Sequence, residues 1–101
     1  VILDVRLRTG FYETEPYRLF IDRGVLKLLP EKSGEEPLIL PEAEILLVTF
    51  FGRRSAGAEI QTADRLYHMA LCDSSRAGEM YQSLKENLRA GINFETAYEG
   101  G

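Results

Sequence analysis

The stretch that most constrains this chain is residues 74–90, SSRAGEMYQSLKENLRA. Ala77, Met80, Tyr81, Leu84 and Leu88 recur at i, i+3, i+4, i+7 and i+11, a spacing that stacks them on one face of a helix. Arg76, Glu79, Gln82, Lys85, Glu86 and Arg89 take the other face. Asp73, Ser74 and Ser75 supply three N-cap residues in a row. Gly91 stands just past the last periodic residue, where glycine relieves a left-handed C-cap. A helix with a single apolar stripe cannot bury that stripe alone. Everything before it reads as short strands, so the stripe must lie against a sheet or close the mouth of a barrel.

The strands announce themselves by alternation. Val1, Leu3, Val5 and Leu7 share one side of the first, and Asp4, Arg6 and Arg8 the other, which describes a half-buried strand. Gly10 opens a loop in which Phe11 and Tyr12 sit beside Glu13 and Glu15. Pro16 closes it, because proline lacks the amide that a central ladder needs. Tyr17, Leu19 and Ile21 then lead into Asp22-Arg23-Gly24, a hairpin turn in which Gly24 takes the positive φ that other residues resist. Leu26 and Leu28 return, with Lys27 on the opposite face.

Residues 30–36 are a polar loop, and residues 38–40 a short strand stopped by Pro41. Residues 45–51, ILLVTFF, are apolar on both faces. Such a strand is either central in the fold or contributes an exposed apolar stripe. Arg53 and Arg54 lie in a glycine-framed connection and read as a solvated loop tip. Residues 58–62 alternate again. Residues 65–72, RLYHMALC, fit either a helical turn or two, since Leu, Met and Ala are good helix formers, or a strand with Tyr67, Met69 and Leu71 inward; the strand is preferred, because a helix there would collide with the one beginning at Ser74.

At 101 residues the chain has room for one core, hence one domain over residues 1–94, with residues 95–101 expected to fray. The net charge of −4 works against broad capture of nucleic acid or an anionic bilayer. Cys72 is the only cysteine, so no internal disulfide can form and the cytoplasm is the default location, with peripheral membrane attachment as the variant. No run approaches the roughly 18 apolar residues of a membrane span.

The order is thus about seven short strands followed by one capped amphipathic helix. In that layout the chain resembles the pleckstrin-homology-like (PH-like) superfamily, in its GRAM and bacterial PH branch. The residues that carry the likeness are the hairpin RLFIDRGVLKL (residues 18–28), PLILPEAEI (37–45) and AEIQTADRLYHMAL (58–71). It spans about residues 17–88 and consists of hydrophobic patterns rather than invariant chemical groups. The resemblance implies an α+β fold, a partly open antiparallel barrel of two nearly orthogonal sheets capped by the C-terminal helix. It also implies a binding role toward phosphoinositides, peptides or a second copy.

For anionic lipid, several phosphate oxygens must be met together by cations on the first two strands. Arg6, Arg8 and Arg18 are the candidates. Phe20 stands where the lipid-binding pattern would place its last basic residue, and Glu13 and Glu15 occupy the loop that should embrace phosphate. For a protein partner or a homo-oligomer, Leu46, Val48, Phe50 and Phe51 of the two-faced apolar strand are the candidate interface. Catalysis and cofactors find no support. His68 is the sole histidine, and at strand spacing it stands roughly 13 Å from Cys72, too far to share one zinc ion. Neither residue lies in a nucleophile or phosphate-loop motif. The expectation is a non-catalytic module that binds protein or itself, with anionic lipid as the alternative.

Overall fold

The computed structural model describes residues 1–52, 56–88 and 92–97. Among them the strands are β1 (Ile2–Arg8), β2 (Thr14–Asp22), β3 (Val25–Pro30), β4 (Leu38–Pro41), β5 (Ile45–Phe51), β6 (Gly57–Thr62), β7 (Leu66–Leu71) and β8 (Asn93–Ala97). The helix α1 (Ala77–Asn87) lies between β7 and β8. The strands form one sheet in the order β4-β3-β2-β1-β7-β6-β5-β8, curled around a single core as a half-barrel.

The two sheets implied by the resemblance are one ladder here. Strand β1 bonds to β2 on one edge (Val5 opposite Tyr17) and to β7 on the other (Val5 opposite Leu71), so hydrogen bonding never breaks. The expected count of seven strands becomes eight. Residues 95–97, expected to fray, belong to β8, which runs parallel to β5 from Leu47 opposite Asn93 to Phe51 opposite Ala97. The reason is physical: without β8, β5 would present an apolar strand with one edge unpaired. Residues 98–101 lie outside the described residues.

Alternation holds within β1, where Leu3, Val5 and Leu7 are buried and Asp4, Arg6 and Arg8 exposed, but Val1, expected on the buried side, precedes the strand and is half exposed. Tyr17, Leu19 and Ile21 of β2 and Leu26 and Leu28 of β3 join them. Residues 66–71 are extended, with Met69 and Leu71 buried and Tyr67 packed against the core. Pro16 does not precede β2 but lies within it. Its carbonyl accepts from Glu31 N at 3.1 Å just beyond the end of β3, so the amide it lacks would face the frayed end of that ladder.

The helix starts as expected and stops early. Asp73 Oδ1 accepts from Ser75 N at 3.0 Å and from Ser75 Oγ at 2.6 Å, and a 3-10 turn (Ser74–Arg76) runs into α1. At Leu88 the backbone is already extended (φ −101°, ψ 149°). The expected cap at Gly91 lies outside the described residues. The carbonyl of Asn87 is instead satisfied by Gly24 N, 2.8 Å away in the β2–β3 turn, where φ is +77°. The Gly24 carbonyl in turn accepts from Glu42 N at 2.9 Å. One glycine therefore ties the hairpin turn, the helix end and the 3-10 turn (Glu42–Glu44) together. Met80, Leu84 and Leu88 are buried against the sheet, each worth about 1.5–3 kcal/mol relative to exposure. The apolar ridge of α1 is the plug of the half-barrel.

Candidate functional site

Three surfaces bear on function: the cationic outer face of β1 and β2, the apolar strand β5, and the space between β5, β8 and α1. The strand period turns Arg6, Arg8 and Arg18 outward, with Asp4 opposite Arg18, Arg6 opposite Pro16 and Arg8 opposite Thr14. Two of the three guanidinium groups are engaged by their neighbours. Arg6 Nε donates to Thr14 Oγ1 at 2.9 Å and Nη2 to the Thr14 carbonyl at 3.3 Å. Arg18 Nε lies 3.6 Å from Asp4 Oδ1 in an exposed ion pair. Arg8, four residues along the strand from Asp4, stands roughly 13 Å from that pair. The structure does not gather the three cations into one cradle. Arg53 and Arg54 lie outside the described residues.

Of the four interface candidates, Val48 and Phe50 face the core and are buried. Neither can be reached from the outer face of the sheet, and only Phe50 lines the groove on the α1 side. The cause is a β-bulge: Ile45 pairs with Thr62 and Leu47 with Gln61, which leaves Leu46 as an extra residue on β5. The bulge shifts the parity, so Ile45, Val48 and Phe50 all point inward, while Leu46 is about half exposed at 52%. Phe51, half-buried, lies across the strand from Gly57 and stacks on His68 with ring centroids 4.7 Å apart. It fills the place that a side chain at Gly57 would occupy. The apolar residues of β5 thus divide: Ile45, Val48 and Phe50 are core, the bulged Leu46 faces water, Leu47 is half-buried, and Phe51 roofs a glycine.

His68 and Cys72 have separate surroundings. His68 Nδ1 donates to Glu59 Oε2 at 2.9 Å, across from it on β6. Cys72 is exposed beyond the end of β7, and its amide bonds to the Asp4 carbonyl at 3.0 Å. On the inner side of β2, burial pushes the Tyr17 hydroxyl pKa up, and the Glu35 carboxylate, 3.3 Å away, adds to the shift.

Two features stand out that sequence reasoning did not single out as sites. The first is an apolar groove of about 420 Å³ between the N-terminal half of α1 and the ends of β5 and β8, lined by Phe50, Phe51, Gly57, Gly78, Tyr81 and Thr96. Tyr81, read from the sequence as part of the buried ridge, is 40% exposed and leans on Phe50 with centroids 4.5 Å apart. Lys85 Nζ lies 5.0 Å from the Tyr81 ring centroid. Gly57 and Gly78 stand on its β6 and α1 walls, and Thr96 of β8 completes it, a juxtaposition that no local sequence signal marks. The second feature is the tip of the β1–β2 loop, where Phe11 and Tyr12 are 85% and 91% exposed and meet edge to face at 4.6 Å. The amides of Thr9 and Gly10 both donate to the Glu13 carbonyl, at 3.0 and 3.4 Å, which closes the loop beneath the rings.

No protein-family profile matches the chain, and no curated protein matches it either. Among solved structures, a chain of the "Structure of the Spt16D Pob3N heterodimer" superposes on it with a TM-score of 0.73 at 14% sequence identity. The match covers 99% of the present chain and 55% of the other, so this chain spans a little over half the length of that neighbour. The likeness is one of fold, and together with the curled sheet and the C-terminal helix it supports a PH-like architecture. No helix among the described residues is long and apolar enough to cross a membrane.

Proposed function

We propose that this chain is a non-catalytic protein-interaction module, a PH-like half-barrel that docks a protein partner or another copy of itself. The observation that carries the reading is the structural neighbour, a chain from a protein heterodimer that shares the fold over 99% of the present chain. The local chemistry points the same way. An exposed aromatic pair and an apolar groove are the kinds of feature that anchor protein interfaces.

The alternative, anionic phospholipid, is favoured only by the outward arginines. Arg6 and Arg18 already hold Thr14 and Asp4, and Glu13 and Glu15 set two negative charges beside the loop. The finer placement in the GRAM and bacterial PH branch rests on the patterns of residues 18–28, 37–45 and 58–71. A cytoplasmic location rests on the single cysteine.

The test is photo-crosslinking with the full chain, a benzophenone amino acid replacing Gln82 or Tyr12, in an extract of the source cell. Flotation with vesicles of phosphatidylcholine containing a phosphoinositide, at low ionic strength, runs beside it. Discrete protein adducts without flotation are expected. Salt-sensitive flotation, weakened by Arg8→Glu and unaccompanied by protein adducts, would overturn the reading in favour of lipid.

A further inference from the structure

We infer that the chain associates head to tail with copies of itself, the Phe11–Tyr12 ring pair of one copy seating in the groove between α1 and the β5–β8 edge of the next. The inference rests on the interaction reading above and specifies the partner as a second copy of this chain.

The ring pair supplies a protruding aromatic knob and the groove an aromatic-lined hole. Phe11 and Tyr12 protrude almost fully exposed, yet the loop below them is closed by two backbone hydrogen bonds to Glu13. The closed backbone lowers the loop ordering that binding must supply, although the exposed rings still have rotamers to lose. The groove, at about 420 Å³, lies in the range of roughly 300–1,000 Å³ typical of ligand pockets, a volume of the order that two aromatic rings need. Its walls offer Phe50, Phe51 and Tyr81, partners with which Phe and Tyr rings gain edge-to-face contacts beyond simple burial. Gly78 on the helical wall faces open space, since a Cβ there would meet nothing within 4 Å.

One copy does not fill its own groove: Phe11 and Tyr12 stand exposed and are not among the residues that line it. Strands β1 and β7 are antiparallel, so the loop after Arg8 leaves the sheet toward the N-terminal end of β7. Gly57 of the groove pairs with Ala70 near the C-terminal end of that same strand. Charge favours a second copy as occupant. The knob is flanked by Glu13, whose side chain lies 3.4 Å from the Cβ position of Gly10, and the groove by Lys85 above Tyr81. Docking brings these opposite charges toward each other. The net charge of −4 on each copy opposes association only weakly, since at physiological salt repulsion is screened beyond about 8 Å. Knob and hole are different patches of one surface, so the contact is heterologous and must either close into a ring or run on as a chain.

The test is sedimentation of the purified full chain over a wide concentration range. The wild type should grow in mass with concentration. Phe11→Ser/Tyr12→Ser removes the knob and Gly78→Trp fills the hole. Each should weaken self-association by about tenfold or more, with circular dichroism confirming that both stay folded. Mixing the two variants is decisive: one intact knob and one intact hole remain, so a 1:1 dimer should form and grow no further. A wild type that stays monomeric, or a mixture that yields no dimer, overturns the inference. If the monomeric wild type still gives adducts with other proteins, the interaction reading stands without it. If it instead binds only vesicles, and Phe11→Ser/Tyr12→Ser abolishes that, the rings serve a bilayer and both readings fall.

Discussion

Replacing Gly57 by alanine should destabilise this protein strongly, although the same change usually does the reverse. At an ordinary backbone conformation Gly→Ala stabilises by about 0.4–1 kcal/mol, because the unfolded chain loses freedom. At Gly57 the added Cβ would lie 2.2 Å from the Met69 carbonyl oxygen, 2.6 Å from Phe51 Cζ and 2.9 Å from Ala70 Cα. Two of these atoms are backbone of β7 and cannot rotate away. Restoring an ordinary contact of 3.4 Å requires β6 and β7 to part locally by more than 1 Å, which takes a 2.9 Å ladder bond beyond hydrogen-bonding range.

The bonds at risk are those around the pairing of Gly57 with Ala70 and the 2.7 Å bond from Leu71 N to the Ala56 carbonyl. Each contributes about 0.5–1.5 kcal/mol net, and displacing Phe51 from His68 loses about 0.5–1.5 kcal/mol more. Against the smaller entropic gain, the balance is about 2–3 kcal/mol of lost stability. For a domain of this size each kcal/mol moves Tm by about 4–8 °C, so Gly57→Ala should melt roughly 10–20 °C below the wild type. Thermal and urea unfolding followed by far-ultraviolet circular dichroism measure it. Gly78→Ala is the control: with open space around its Cβ and a helical backbone it should stabilise, by up to about 1 kcal/mol. If Gly57→Ala melts at or above the wild type, or the two substitutions shift Tm in the same direction, the close packing of β6 on β7 is refuted.

Three further outcomes are expected. Leu84→Ala, at a fully buried position in the helical plug, should cost about 2–5 kcal/mol in urea unfolding, whereas a loss under 1 kcal/mol would mean that α1 does not plug the half-barrel. The hydrogen bonds from Ser75 hold the Asp73 carboxyl below its ordinary pKa, so its contribution is present above about pH 4 and is lost as pH falls through the folded-state value. The stability gap between the wild type and Asp73→Ala should therefore shrink in acid, and a gap that stays constant from pH 7 to pH 3 would contradict the cap. Burial, with Glu35 adding to it, raises the Tyr17 hydroxyl pKa, so its contribution is present below about pH 10 and disappears as pH rises through the higher folded-state value. A spectroscopic alkaline titration, assigned by comparison with Tyr17→Phe, should show this phenol ionising above the ordinary tyrosine value, and ionisation at that ordinary value would argue against the buried position.

The outer-face arginines show the limit of pattern reading. Alternation in β1 places Arg6 and Arg8 on the wet side without any coordinates, because successive side chains of a strand must point to opposite faces. That Arg6 is spent on Thr14 and Arg18 on Asp4 depends on register between strands, which the hydrophobic pattern of each strand alone does not state. Strand β5 shows the same limit from the other side. ILLVTFF is visibly apolar on both faces, but one bulged residue, Leu46, decides that Phe50 is core, and no local signal marks a bulge in a run of apolar residues.

Local chemistry alone determined the amphipathic helix, its Asp73 cap, the half-buried strands before it and the turn glycine at residue 24. Each follows from side-chain period or backbone conformation within a few residues. Only the tertiary structure decided where α1 ends, because the Asn87 carbonyl is satisfied by a turn more than sixty residues away in the chain. It alone decided that residues 93–97 pair in parallel with β5, and that this pairing opens a groove beside Tyr81. Period and propensity act between neighbours, whereas pairing and packing are settled by whichever distant segments best bury what those neighbours leave exposed.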